Sequence, residues 1–518
     1  MRVPSERRRR RTVRRRLAGL ALLGWVGTGG GPAQAQPPPV PTTSFTLVGH
    51  IERFTLDNAG DPLSAAVMTV RGIPVVLPRN LLITLPGRYM TAQDLFRGPA
   101  GAAVLQESGL ALADDTARPP VPFEAELLGN VVEETVNNLR RARYIAGVVR
   151  ISQGALHIGE GYIQAIDAAT GEMRIGDKLN TAGARVRLND PTGIYGVAAT
   201  ALPAGTLSFD PRFALDEENA PVHARTGFPV CVPAPSREAA CPPGNRLAGS
   251  LRFTCGKQAT PGVAALHATC DPKRPVPLAV GDHVTYAGMI VPDPAGGFVV
   301  AAHGLEAELG IYTSPGVEPA YVFVEEAIQG TKGEEFAGIP QEETTRFRIV
   351  GFTSDPTRNV EVWLVDSDRK RPSPGAQDPP WPGTSFTGPG GLAPSNGPQL
   401  GRFRNTWPAK DDARPVRRDV LVRVVGTPWV KTPAGIRTNG YLAPVGEYIY
   451  PEPTSFGQRG FPVPVPFENF CFLRAGGGTH ETVQGGTVTL GALDPFPDSG
   501  HAAPQPVGNG PRTACDGE

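Results

Sequence analysis

Aspartate is followed by proline eight times in this chain, at Asp61, Asp190, Asp210, Asp271, Asp293, Asp355, Asp378 and Asp494. Proline fixes φ and lacks an N–H, so each pair favours a turn and interrupts any helix running into it. These breaks run along the whole length, and with 63 glycines and 56 prolines among 518 residues they exclude a helical architecture. Between them lie short stretches rich in Val, Ile, Thr, Phe and Tyr with two-residue alternation, the pattern of short strands joined by tight turns. The best helical candidates are Ala92 to Phe96 and Glu133 to Arg143, the latter reading equally as two strands around a polar turn.

An apolar residue, a nearby glycine and further apolar residues recur in LVGHIERF (47–54), LLGNVVEE (127–134), IAGVVRIS (145–152), GEGYIQAID (159–167), VTYAGMIV (284–291), RIVGFTSD (348–355) and VRVVGTPWV (422–430). Glycine in mid-strand costs stability unless the backbone must bulge or bend there. Small barrels need such bends, because one long strand serves two sheets. Gly49-His50-Ile51, Val67 to Gly72, Pro74 to Leu77 and Gly281 to Gly288 together resemble the OB-like small-barrel repeats of secreted bacterial proteins. That resemblance covers about 150 residues, implies a fold class and carries no catalytic residues. The expected fold is mainly β: several small β-barrel or sandwich (OB-like) units in tandem, joined by Pro/Gly-rich loops, with little helix.

Residues 1–35 hold nine arginines, then the apolar run Leu17 to Val26, then Ala33-Gln34-Ala35. A basic start, a short apolar stretch and an A-x-A exit describe a cleavable secretory signal, with Gln36 as the first mature residue. Export to the periplasm or the exterior is expected, by the general secretory route or, given the paired arginines, the twin-arginine route. No later stretch offers the roughly 18 apolar residues of a spanning helix. The whole chain carries 50 basic and 50 acidic residues, but residues 1–35 contain nine Arg and only Glu6 as an acid. Cleavage therefore leaves 41 against 49, a net charge near −8. Such a surface argues against nucleic acid as a partner, since phosphate binding needs clustered Lys and Arg.

The expected division is a signal at 1–35, a Pro-rich leader at 36–43, β units at 44–120 and 121–203, a cysteine-bearing insertion at 204–276, a third β unit at 277–371, a Pro/Gly-rich loop at 372–398, a fourth β unit at 399–475 and a C-terminal tail at 476–518. Six cysteines in an exported chain read as disulfides. Cys231, Cys241, Cys255 and Cys270 allow three pairings, of which Cys231–Cys241 with Cys255–Cys270 is the most local; Cys471 and Cys515 form a distant pair.

No nucleophile elbow, zinc helix, phosphate loop or dinucleotide turn is present, so no catalytic, cofactor or metal residue is assigned. His480 sits beside Gly476-Gly477-Gly478, which could expose it, though a polar residue in a glycine-rich loop is the simpler reading. Carboxylate neighbours such as Glu325-Glu326 and Glu342-Glu343 point to opposite faces of a strand. Trp381 and Trp407 lie in or just after the Pro/Gly-rich loop, either tucked against prolines or displayed as a stacking platform, and for a binding protein they mark the candidate recognition loop. Two function classes follow: a non-catalytic binding or envelope-scaffold protein, with an envelope polymer or protein as partner, or a secreted polysaccharide-active hydrolase or lyase.

Overall fold

A computed structural model describes residues 43–502 apart from 117, 153–157, 179–182, 317–318, 331–340, 343–345, 366–382, 386, 388–389, 409–415, 445–446, 450–451, 454–463, 466 and 477. The signal and leader expected over 1–43 therefore lie, except for Thr43, outside the described residues, as does Trp381. Within these bounds α-helix is confined to two four-residue turns. No helix among the described residues is long and apolar enough to cross a membrane.

The chain opens with β1 (Thr43–Leu56), β2 (Ala66–Val70), β3 (Ile73–Leu77), β4 (Ile83–Leu85), β5 (Arg88–Met90), α1 (Ala92–Leu95), β6 (Glu124–Val136) and β7 (Leu139–Ser152). Strand β1 pairs antiparallel with β2 and β6, β2 with β3, and β6 with β7. A parallel contact between β3 and β7, Val75 opposite Tyr144, closes the ring. This is a five-stranded OB-like barrel. Arg71-Gly72, both at positive φ, give the tight β2–β3 turn whose twist matches that of the flanking strands. The candidate helix over 133–143 is instead the β6–β7 hairpin, turning at Asn137-Asn138 with φ of 51° and 61°. Ile51, Phe54, Met68, Val70, Val75, Leu127, Val149 and Ile151 fill the barrel.

Next come β8 (Ile158–Ile166), β9 (Met173–Gly176), β10 (Ala184–Leu188), β11 (Val222–Ala224), β12 (Val230–Cys231), β13 (Arg252–Cys255), β14 (Leu266–His267), β15 (Val276–Pro277), β16 (His283–Pro292), β17 (Phe298–Ala307) and β18 (Gly310–Thr313). Strands β10-β9-β8-β16-β17 repeat the first barrel's order, and parallel β10–β17 pairing, Val186 opposite Val300, closes them. The cysteine-bearing segment thus interrupts this barrel between its third and fourth strands. In both barrels the register slips by one residue between the last two strands, at Leu128/Gly129 and at Ala287/Gly288. A Cβ on Gly129 would overlap the Ile145 carbonyl, and one on Gly288 would crowd Ala301 and Ala302. The extra residue sits on the partner strand, Gly147 in β7 and His303 in β17, so the recurrent mid-strand glycines Gly129 and Gly288 stand opposite the bulges that bend the barrels.

The remaining strands are β19 (Val322–Gly330), β20 (Gln341–Glu342), β21 (Arg346–Thr353), β22 (Val360–Val365), β23 (Gly383–Ser385), β24 (Arg402–Pro408), β25 (Asp419–Val424), β26 (Gly440–Pro444), β27 (Glu447–Ile449) and β28 (Glu452–Pro453). Two four-stranded sheets, β24-β21-β19-β27 and β23-β22-β25-β26, share a core of Val322, Phe347, Ile349, Val362, Phe403, Val420 and Val422. They form a sandwich. Helix α2 (Cys471–Arg474) and the hairpin β29 (Thr479–Glu481) and β30 (Thr487–Thr489) end the described chain. Phe467, Phe470, Phe472, Leu493 and Phe496 return to the first barrel and join its core.

Cys231 bonds Cys241 and Cys255 bonds Cys270, across 10 and 15 residues. These are the local pairings. Cys471 is also disulfide-bonded, and Cys515 lies outside the described residues.

Candidate functional site

A cleft of about 280 Å³ opens where the first barrel meets the C-terminal hairpin. Leu82, Gly87, Arg88 and Tyr89 come from the β4–β5 hairpin and its approach, Asp94 from α1, Glu218 from the segment after β10, Arg418 from the residue before β25, and Thr479 to Val483 from β29 and its turn. Local sequence builds each wall. Thr91 caps α1, its hydroxyl accepting from the Asp94 amide at 3.1 Å while Asp94 Oδ2 accepts from the Thr91 amide at 3.2 Å. That reciprocal pair fixes a carboxylate at the helix start. At Gly476, φ is +91° and a Cβ would collide with the Leu490 carbonyl, so only glycine lets the chain fold back as the β29–β30 hairpin.

At the centre, His480 Nε2 lies 3.1 Å from Asp94 Oδ2, and the Val483 amide donates to Asp94 Oδ1 at 3.2 Å. Both side chains are buried. Burial alone would raise the Asp94 carboxyl; the His480 hydrogen bond and charge, with the Val483 and Thr91 amides, outweigh it and hold it below its ordinary 3.8. Asp94 thus fixes the orientation of the His480 ring through Nε2.

The Tyr89 hydroxyl donates to Asp419 Oδ1 at 2.9 Å and reaches the Arg418 carbonyl at 3.4 Å, which fixes its ring. Arg418 is 5 % exposed, and its guanidinium lies 4.9 Å from the Phe472 ring centre and 5.8 Å from that of Tyr89. Cation–π contact at this range compensates a desolvated guanidinium. Glu218 is held by Lys431 at 2.9 Å and by Arg437, and Glu481 is exposed at the rim. A smaller pocket of about 30 Å³ adjoins, sharing Leu82, Tyr89 and Arg418. Among the described residues no group of three His, Cys, Asp or Glu side chains is placed to hold a metal ion.

His480, singled out by its glycine-rich flank, is thus a wall of the cleft, which sequence reasoning judged the less simple outcome. Trp407 lies away from it on β24, its ring stacked 5.5 Å from Phe347 against the sandwich core. Glu326 pairs with Arg348, and Glu325 with Arg402 at 3.7 Å. Buried His223 is pushed down to about 4 by desolvation, only partly opposed by the Ala224 carbonyl, and so stays neutral. Sequence reasoning missed Arg88, Tyr89, Asp94 and Arg418. For Asp94 the Thr91-x-x-Asp94 cap was a visible signal; for the others no local signal exists. Comparison with family models, curated proteins and solved structures finds no match.

Proposed function

We propose that this is an exported, non-catalytic binding protein of the cell envelope that seats part of an envelope polymer in the cleft. One observation carries the reading: sequence stretches as distant as Tyr89 and His480 converge on a single cleft, and its Tyr89, Asp94 and Glu218 side chains are held by protein partners. Such preorganisation lowers the cost of binding. The arginine-rich apolar leader supplies the export, with Gln36 as the mature N-terminus.

The test is hydrogen exchange on the full mature chain with and without isolated envelope polymer. Slowed exchange in 83–96 and 479–489 is expected; protection confined to other regions, or none, overturns the reading.

The Asp94–His480 pair favours one second reading, a hydrolase in which His480 activates water, as carboxylate-oriented imidazoles do. Turnover of a polysaccharide or its esters, abolished by His480→Gln at an unchanged melting temperature, would install it in place of the first.

A further inference from the structure

We infer that the cleft takes a neutral saccharide, seating one pyranose ring against Tyr89; this rests on the binding reading above. The charges lining the cleft are balanced. Arg88 and Arg418 stand against Glu218 and Glu481, with Asp94 and His480 as an internal pair, and behind Glu218 stand Lys431 and Arg437. An anionic ligand would meet the Glu218 and Glu481 carboxylates at close range and a cationic one the Arg88 and Arg418 guanidinium groups, each unfavourable at low local dielectric. A polyol suffers neither penalty. Each hydroxyl both donates and accepts, so a wall carrying guanidinium N–H groups beside carboxylate oxygens suits vicinal hydroxyls, and charge-assisted hydrogen bonds are the stronger kind.

Tyr89 supplies the second half of the fit. It lines both the main cleft and its smaller neighbour, and its hydroxyl is tethered to Asp419 and to the Arg418 carbonyl. The polar end of the ring is satisfied by protein, and the ring offers an apolar surface already fixed in place. The C–H face of a pyranose matches such a surface. A volume of about 280 Å³ falls just below the roughly 300–1,000 Å³ of sites for drug-sized ligands, which suits one ring with its neighbours continuing outside. The acidic mature surface, near −8, further disfavours polyanionic chains.

The test is titration calorimetry of the full mature chain with neutral hexose and N-acetylhexosamine oligomers and with matched uronate oligomers. At least one neutral oligomer should bind, with its uronate counterpart at least tenfold weaker. Tyr89→Leu should weaken the neutral ligand at least tenfold and rim variant Glu481→Gln severalfold, the latter at an unchanged melting temperature. Tighter uronate binding overturns the inference, as does neutral binding that both variants leave intact. If no oligomer binds while envelope polymer still protects 83–96 and 479–489 from exchange, the saccharide class is wrong and the binding reading stands; if that protection is also absent, both fall.

Discussion

Asn130 Nδ2 donates to Asp498 Oδ1 across 3.0 Å, joining the fourth strand of the first barrel to a residue 368 positions later. The same amide binds the Val465 carbonyl at 2.9 Å and accepts from the Val465 amide at 2.8 Å. Asp498 Oδ2 accepts from the Glu468 amide at 3.0 Å, and the Glu468 side chain is hydrogen-bonded to the same buried carboxyl. Burial first, and then the Glu468 charge, push Asp498 well above the ordinary carboxyl range.

The native state therefore holds a proton there that the unfolded chain releases above about 3.8. Stability from this group is full below that pH and falls as pH rises toward the raised native value. We expect the denaturation midpoint to drop across this range in the wild type, and Asp498→Asn, which mimics the protonated acid, to flatten the drop. An unchanged profile in the variant would refute this.

Asp94 has the opposite sign. Its carboxyl is held below 3.8, so its contribution is full above that value and is lost as pH falls through the native one. Hydrogen exchange over 479–489 should accelerate below pH 4. Asp94→Asn should loosen the hairpin already at pH 7, by about 1.5–3 kcal/mol for the lost charged hydrogen bonds, and remove the acid dependence.

Gly147 lies beneath the Phe467 ring, and a Cβ there would overlap it. Gly147→Ala should cost about 1–3 kcal/mol, the range for overpacking a core, measured by urea unfolding. A neutral result would show that the 467–473 turn yields easily.

Each local disulfide closes a short loop in the inserted segment, and breaking Cys255–Cys270 by a double Ser substitution should cost about 3 kcal/mol. Thiol titration of the denatured, unreduced protein should find no free thiol.

The β class, the short strands, the glycines beside the bulges and both local disulfides were legible because each depends on neighbours within about 15 residues. Turn chemistry and two-residue alternation are local quantities. The parallel seam between β10 and β17 was not legible, since nothing in Ala184–Leu188 specifies a partner beyond the cysteine-bearing segment. The cleft was half visible. Gly476 and Gly478 marked His480, but its carboxylate partner stands 386 residues away, and Arg418 acquires its role only when Phe472 and Tyr89 approach it.

The return of Phe467, Phe470 and Phe496 to the first barrel sets a timetable for the chain. Synthesised from the N-terminus, the earliest barrel cannot complete its interior until residues 467–496 have been delivered, and the second waits on β17 for its seam. Contacts of such long sequence separation form slowly. The first barrel's strands are thus made long before the aromatic side chains that finish its interior, and its folding must trail its synthesis.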